Sequence, residues 1–421
     1  MHRTKNHQLT HLAGGTVSIS DLIAREQLRK WERRVINGSD VLRWPGITYD
    51  GGGQMATAPA RLADHRLSHL TDLPKMWTYL EFRNPSGNHS ASHCLAISED
   101  STLLAAAWED SEILVWRLTD GITVQRVHVG GPVGALAFCA NGKRLVAAID
   151  TVAIVYDLRS GNAVWSLEGH QERINDLAYS RRPSRIVTCS QDGALKMWNA
   201  DSGAPLCSFD LHLAIKKLVF SPDGSRLAAQ QHSTVTLYDA GDLTVQLASV
   251  QSKRGRITSV AFAPQGDRLF VSDESRTGRI YDSRTCKEII AIEGHSDIIS
   301  SAAFAPGGRA VATASRDCSV SIRSSSTGTE TWLLQMKAPI NRVGYSPNGD
   351  FIAAADDSGR VGVWRALSRR SAVFIAEFQG PESQAARTSR IEFLPDSRCL
   401  LTATAKGAIC LWDVGDVLRV R

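Results

Sequence analysis

The sequence predicts an all-β fold, a propeller of eight four-stranded blades with seven as the alternative count, behind a short and partly helical N-terminal extension. Three observations carry this. From about residue 77 onward, runs of Val, Ile, Leu and Ala alternate with turn clusters such as Ser221-Pro222-Asp223-Gly224, the pattern of short strands joined by tight connections. An apolar residue followed by an aromatic marks each cycle, at Val115-Trp116, Val155-Tyr156, Met197-Trp198, Leu237-Tyr238, Ile280-Tyr281, Val363-Trp364 and Leu411-Trp412, with Ile322-Arg323 in the remaining slot. Successive markers lie 40, 42, 40, 43, 42, 41 and 48 residues apart, and all but the last interval match the blade period of about 40–45 residues.

Each cycle justifies its own strands. Phe138, Tyr179, Phe220, Phe262, Phe304, Tyr345 and Phe393 end an apolar strand ahead of a turn. Several of those turns read Pro-x-Gly, as in Pro264-Gln265-Gly266 and Pro347-Asn348-Gly349; proline fixes φ early in the turn and glycine tolerates positive φ late in it. Each sequence repeat therefore runs outer strand d, then a, b and c. A lone blade leaves both faces of its sheet uncovered, so blades stack about an axis. The first outer strand, Trp77 to Phe82, precedes its own a, b and c strands and is placed to complete the last blade and close the ring.

Residues 1–76 lack the repeat and form an extension ahead of a propeller at 77–421. Asp21 to Val35 reads as a helix with a capping box from Ser18 to Asp21, Ala24, Leu28, Trp31 and Val35 on one face, and Arg25, Arg29, Lys30, Arg33 and Arg34 around the rest. Its apolar stripe is expected to pack on the propeller, with a partner or anionic surface as the alternative. Gly51-Gly52-Gly53, followed by Ala and Pro, reads as a flexible linker.

Composition sets the class. Hydrophobic residues are 43% and charged residues 22%, ordinary values for a folded protein. Of the net charge of +5, the extension holds most, and the nearly neutral propeller disfavours nucleic acid as a partner. Eight scattered cysteines without a CxxC pair read as reduced, mostly buried thiols. The N-terminus has no secretory apolar run, and no 18 consecutive residues are apolar. The expectation is a soluble intracellular protein, cytoplasmic and/or nuclear, with no membrane partner.

On these residues the chain resembles the WD-repeat β-propeller family over about residues 77–414. The third copy carries Gly169-His170, Thr188, Asp192 and Trp198 at the spacing of that family's structural tetrad. The resemblance implies a buried ladder in which the carboxylate orients the imidazole, and the hydroxyl and indole close the chain. The sixth copy has Gly294-His295, Thr313 and Asp317, but Arg323 replaces the aromatic; a broken ladder is expected there, with an arginine that has to pair or reach solvent. Copies four, five and eight lack the full set.

No enzyme chemistry emerges. The glycines at 51–53 lack the Lys-Ser or Lys-Thr of a phosphate-binding loop. His89, His93 and Cys94 come close to a metal spacing without a second ligand pair, and His65 with His69 form an isolated histidine pair. His170 and Asp192 resemble part of a triad, but Thr188 would lie inside a blade rather than in a cleft. No catalytic residue, cofactor or metal is expected.

The resemblance instead implies a scaffold or adaptor that binds proteins or peptides on the rim where d-to-a loops and b-to-c turns emerge. Carried over residue by residue, the positions at the start of strand a include Arg173, Asn175, Lys216, Arg256, Thr258, Ser300, Asn341, Arg387 and Ser389, and those before the turn Asp include Glu109, Gln191, Gln231, Glu274 and Arg316. Arg173, Lys216, Arg256, Arg316 and Arg387 would circle the channel mouth, favouring an acidic or phosphorylated peptide. An insertion at about Gln379 to Arg390 would stand on the same rim. Tyr156-Asp157-Leu158-Arg159 and Tyr281-Asp282-Ser283-Arg284 resemble the Trp-Asp-x-Arg box of substrate receptors in cullin ubiquitin ligases, one alternative; a regulatory propeller cut from a larger enzyme or signalling protein is the other.

Overall fold

A computed structural model describes residues 47–49, 55–57, 79–82, 94–107, 111–181, 183–368, 371–379 and 386–414. The helix expected at 21–35, the glycines at 51–53, His65, His69, His89, His93, Glu109 and the middle of the 379–390 insertion fall outside them. Short strands Ile47–Tyr49 and Met55–Thr57 pair antiparallel. No helix long and apolar enough to cross a membrane occurs among the described residues.

The rest is eight four-stranded antiparallel sheets, each ordered a-b-c-d. Blade 3 shows the plan: strands Ile174–Arg181, Ser184–Ser190, Ala194–Asn199 and Pro205–Asp210. The a-to-b turns obey the reading of Pro-x-Gly, with Gly224, Gly266, Gly308 and Gly349 all near φ +70° (70°, 72°, 67° and 79°), a region that disfavours side chains. Blade 8 takes strands a, b and c from Thr388–Phe393, Cys399–Thr404 and Ile409–Asp413, and its outer strand from Tyr79–Phe82. Tyr79 pairs with Trp412 and Phe82 with Ile409, so the ring has eight blades and the early outer strand closes it.

The core lies between blades, not within them. Each sheet is too thin to bury its own apolar faces, and they are covered by the next sheet instead. Leu195, Met197 and Val187 of blade 3 pack with Leu227, Ala229 and Tyr238 of blade 4, and like clusters fill the other seams from blade 1 to blade 8. At the closing seam, Phe82 meets Trp116 of blade 1 with ring centroids 5.3 Å apart.

A polar device repeats at four seams. Arg144, Arg185, Arg226 and Arg268, each near the start of a strand b, reach into the following blade. Arg144 donates to the Ala200 carbonyl (3.4 Å) and lies 4.2 Å over the Trp165 ring. Arg185 donates to the Ala240 carbonyl, Arg226 to Gly266 and Ser283, and Arg268 to Ser325. These arginines satisfy turn carbonyls that the seam removes from water.

Candidate functional site

The third repeat holds its ladder complete. Trp198 Nε1 donates to Thr188 Oγ1 (3.1 Å), which lies 2.8 Å from His170 Nε2, while His170 Nδ1 is 3.0 Å from Asp192 Oδ2. The carboxylate also accepts the backbone N–H groups of Gln171 (2.9 Å) and Ala194 (2.8 Å). With the indole occupying an acceptor position on Thr188, the hydroxyl proton points to Nε2 and the imidazole carries its own proton on Nδ1. Burial lowers the His170 pKa against the opposing pull of Asp192, and the hydrogen bonds onto Asp192 hold that carboxyl below its usual range despite its partial burial. The hydroxyl is enclosed, so this triad-like set is a brace between loop and strands.

The sixth repeat corrects the expectation of a broken ladder. His295 Nδ1 is 2.9 Å from Asp317 and Nε2 is 3.0 Å from Thr313 Oγ1; only the indole rung is missing. Arg323 turns to Ser321 Oγ (2.9 Å), the Gly328 carbonyl (3.2 Å) and Glu330 (2.8 Å). In blade 5, which has no histidine here, Asp273 accepts the N–H groups of Lys253 and Arg254 and the Ser252 hydroxyl, bracing the same loop by another route.

The expected rim residues divide into two groups. Arg173, Gln191 and Arg316 are exposed, with no side-chain hydrogen bond or ion pair to another described residue, and exposed Lys216 reaches His232 at 3.4 Å. The others are paired or buried. Arg256 pairs with Glu274 (2.9 Å) and Arg387 with Asp357 (3.4 Å), so two of the five expected mouth cations carry a local counter-charge. Asn175 donates to the Ile215 carbonyl of blade 4 (2.7 Å), Ser300 bonds the Ile340 carbonyl of blade 7, Ser389 bonds Ala403 within its own blade, and Thr258 pairs with Ser272 (2.9 Å). Gln231 is buried and donates to the Leu213 carbonyl (3.2 Å). Asn341 is 1% exposed and neither amide atom has a partner among the described residues; the bulge between Ile340 and Arg342 turns it into the seam. It is not a rim contact.

The bulge matters because it sets a layer that the sequence reading missed. Register shifts at the start of strand a in blades 2, 3, 5, 6, 7 and 8 bring Ala135, Asp176, Ser259, Ser301, Arg342 and Arg390 to one level, and pairing puts Cys94 and Lys217 at that level in blades 1 and 4. Neighbouring inner strands touch one another, so this level lines the axis. Four of its side chains fasten one inner strand to the next: Cys94 to the Val133 carbonyl, Asp176 Oδ2 to the Leu218 N–H (2.9 Å), Arg342 Nε to the Ser389 carbonyl (2.9 Å) and Arg390 to the Leu95 carbonyl. An exposed sheet edge is thereby satisfied from the side. Burial lifts the Cys94 thiol to about 12. A cavity of about 760 Å³ opens at the end of the channel opposite the rim, lined by Leu95, Phe138, Tyr179, Phe220, Arg181 and Arg390 among others.

The two Asp-x-Arg boxes have a local explanation. Asp157 Oδ1 accepts the N–H groups of Arg159 and Ser160, and Asp282 Oδ1 those of Arg284 and Thr285. Asn199 and Asp239 do the same in blades 3 and 4. These are c-to-d turn formers that recur irrespective of a following arginine.

A ring of four-stranded blades, offset by one strand from a repeat of 40-odd residues and braced by His-Thr-Asp ladders, defines a repeat propeller that presents surface on both faces. The family described as WD domain, G-beta repeat matches residues 161–199, 245–282, 286–324 and 331–365, four repeats in which the chain is similar to the WD-repeat β-propellers. Among curated relatives, Periodic tryptophan protein 2 of Saccharomyces cerevisiae is 30% identical over 125 residues, 29% of this chain and 14% of that protein. Target of rapamycin complex subunit wat1 of Schizosaccharomyces pombe is 24% identical over 148 residues, covering 34% and 47%. The matches thus span less than half the length of these relatives. Solved structures with the same fold include Sqt1 from Chaetomium thermophilum (TM-score 0.66, 18% identity, 78% of this chain and 97% of that one) and the C-terminal WD40 domain of Sif2 (TM-score 0.65, 17% identity, 77% and 96%).

Proposed function

We propose that this protein is a non-enzymatic scaffold or adaptor that holds protein or peptide partners on the loop rim of its propeller, with a preference for acidic or phosphorylated segments. The observation that carries this is the set Arg173, Gln191 and Arg316: three long polar side chains, exposed, with no hydrogen-bond or ion-pair partner among the described residues. A guanidinium held in this way is a ready donor to carboxylate or phosphate. The neighbouring Arg256 and Arg387, each beside an acid, contribute less. Relatives named as subunits of a target of rapamycin complex support an assembly role. Eight free cysteines agree with a reducing intracellular compartment.

The test is capture of partners from cell extract by the wild-type chain and by the Arg173→Glu, Arg316→Glu double variant, read by mass spectrometry. The scaffold reading expects a reproducible set of partners, with acidic or phosphorylated ones lost at least about tenfold in the variant, the cost of replacing attraction by repulsion at a rim. An identical set from both proteins would remove the rim from the reading, and catalytic turnover by the isolated chain would overturn it.

A further inference from the structure

The inner layer of the channel contains a charge arrangement that ring assembly alone leaves unexplained. Lys217 from blade 4, Arg342 from blade 7 and Arg390 from blade 8 lie at one level; both arginines bear electrostatically on Lys217, and Arg390 on Arg342. Arg390 has Glu392 at 2.9 Å. Arg342 spends its donors on the Ser389 and Asn341 carbonyls and has no carboxylate at salt-bridge distance among the described residues. Lys217 makes no side-chain hydrogen bond or ion pair there, although it is exposed to the solvent of the channel. The one acid of the layer, Asp176, accepts two backbone N–H groups, from Leu218 and Leu177. Ser259 and Ser301 bring hydroxyls to the same level. Enclosure and the two arginines depress the Lys217 pKa against the pull of Asp176.

Like charges brought together inside a protein are unfavourable unless an anion joins them. Three cations set at one level by separate blades, with the carboxylates of Asp176 and Glu392 beside them, leave an excess of positive charge that a phosphate would offset. The way in is present too, because Arg390 also lines the 760 Å³ cavity at the mouth opposite the rim.

We propose that the channel binds a phosphate-bearing polyanion between Lys217, Arg342 and Arg390, reached through the mouth opposite the rim. This goes beyond the scaffold reading and uses a different face. The phosphate comes either from a small soluble polyphosphate or from a phosphorylated side chain inserted into the mouth.

The experiment is calorimetric titration of the full chain with tripolyphosphate, in wild type, Lys217→Met and, as the control, Lys287→Met, which removes an exposed lysine ahead of the outer strand of blade 5. Lys217 is the residue to change because, unlike Arg342 and Arg390, it fastens no neighbouring blade. The proposal expects saturable one-to-one binding, weakened at least about tenfold in Lys217→Met and unchanged in Lys287→Met. It also expects Lys217→Met without ligand to melt no lower than wild type, since a repulsive charge has gone. No binding, equal binding by wild type and Lys217→Met, or a Lys217→Met chain that melts several degrees lower overturns the proposal; the last result assigns the lysine to ring packing. Repeating the titration with a phosphoserine peptide identifies the source: Lys217-dependent binding of the peptide supports a protein-borne phosphate, and binding of tripolyphosphate alone supports a soluble one. Intact partner capture by Lys217→Met, set beside a failed titration, would overturn the channel proposal and leave the rim reading standing.

Discussion

Blades 3 and 6 carry the same histidine, threonine and aspartate in nearly the same geometry, with His–Asp distances of 3.0 and 2.9 Å and His–Thr distances of 2.8 and 3.0 Å. They differ at Trp198 against Arg323, and at Ala194 against Ser319, whose hydroxyl adds a bond to Asp317 (2.6 Å) and lies 3.2 Å from His295 Nδ1. The ladder therefore does not need the aromatic to form. What the indole adds is direction and volume. Its N–H turns the Thr188 hydroxyl toward His170, and its rings, 4% exposed, fill the seam with blade 2 beside Leu167, Ile174 and Ile186. In blade 6 the Thr313 hydroxyl also faces the Ser321 carbonyl at 3.2 Å, and the arginine finds its partners in its own blade.

The largest break in that comparison is Trp198→Arg. Removing a buried indole costs about 3–5 kcal/mol, and blade 3 lacks a carboxylate where Glu330 receives Arg323, so urea unfolding is expected to show a loss of about 4 kcal/mol. A loss under about 1 kcal/mol would mean that either residue serves equally and that the comparison has no energetic content.

A smaller effect concerns pH. The His170 pKa is depressed from its ordinary value of 6.5, so below that pH the unfolded chain takes up protons that the folded ladder resists. The stability contributed by neutral His170 is present above about 6.5 and falls as pH drops from there through the folded pKa. Asp192, also depressed, from 3.8, contributes stability that is lost only further down, as pH falls below about 3.8. Melting curves for wild type and His170→Gln between pH 7 and pH 5 should converge, and parallel curves would exclude the ladder as the source of acid sensitivity.

The smallest is Glu330→Gln. The Arg323–Glu330 pair is partly exposed, and such pairs contribute at most about 1 kcal/mol. A larger loss on unfolding would show that the arginine is as deeply integrated in blade 6 as the tryptophan is in blade 3.

Much of this fold was legible because strand period, turn residues and the aromatic marker all recur. The eight-blade count, the offset of repeat from blade and the closing strand before residue 83 all follow from the spacing of Trp116 through Trp412. Less of the site was legible. Asn341 and Arg342 are adjacent in sequence, yet one bulge turns the first into a seam and the second toward the neighbouring inner strand. Strand patterning alone does not announce a bulge, because the extra residue shifts which side chains share a level. The neutralising partners of Arg256 and Arg387, Glu274 and Asp357, stand on other connections, 18 and 30 residues away in sequence, where only the fold reveals them. Lys217, Arg342 and Arg390 come from three separate repeats and read singly as ordinary surface cations.

The clasp in blade 8 has a consequence for how the molecule is made. Tyr79–Phe82 is synthesised before any complete blade, yet its partner strand, Ile409–Asp413, follows about 330 residues later. Seven blades can pair locally as they emerge, while this strand waits with an open edge and an apolar phenylalanine. Pairing of Ile409–Asp413 is thus the step that converts a growing arc into a ring, and a truncation just short of Ile409 would leave an arc with unpaired strands at both ends, the form in which such sheets recruit one another.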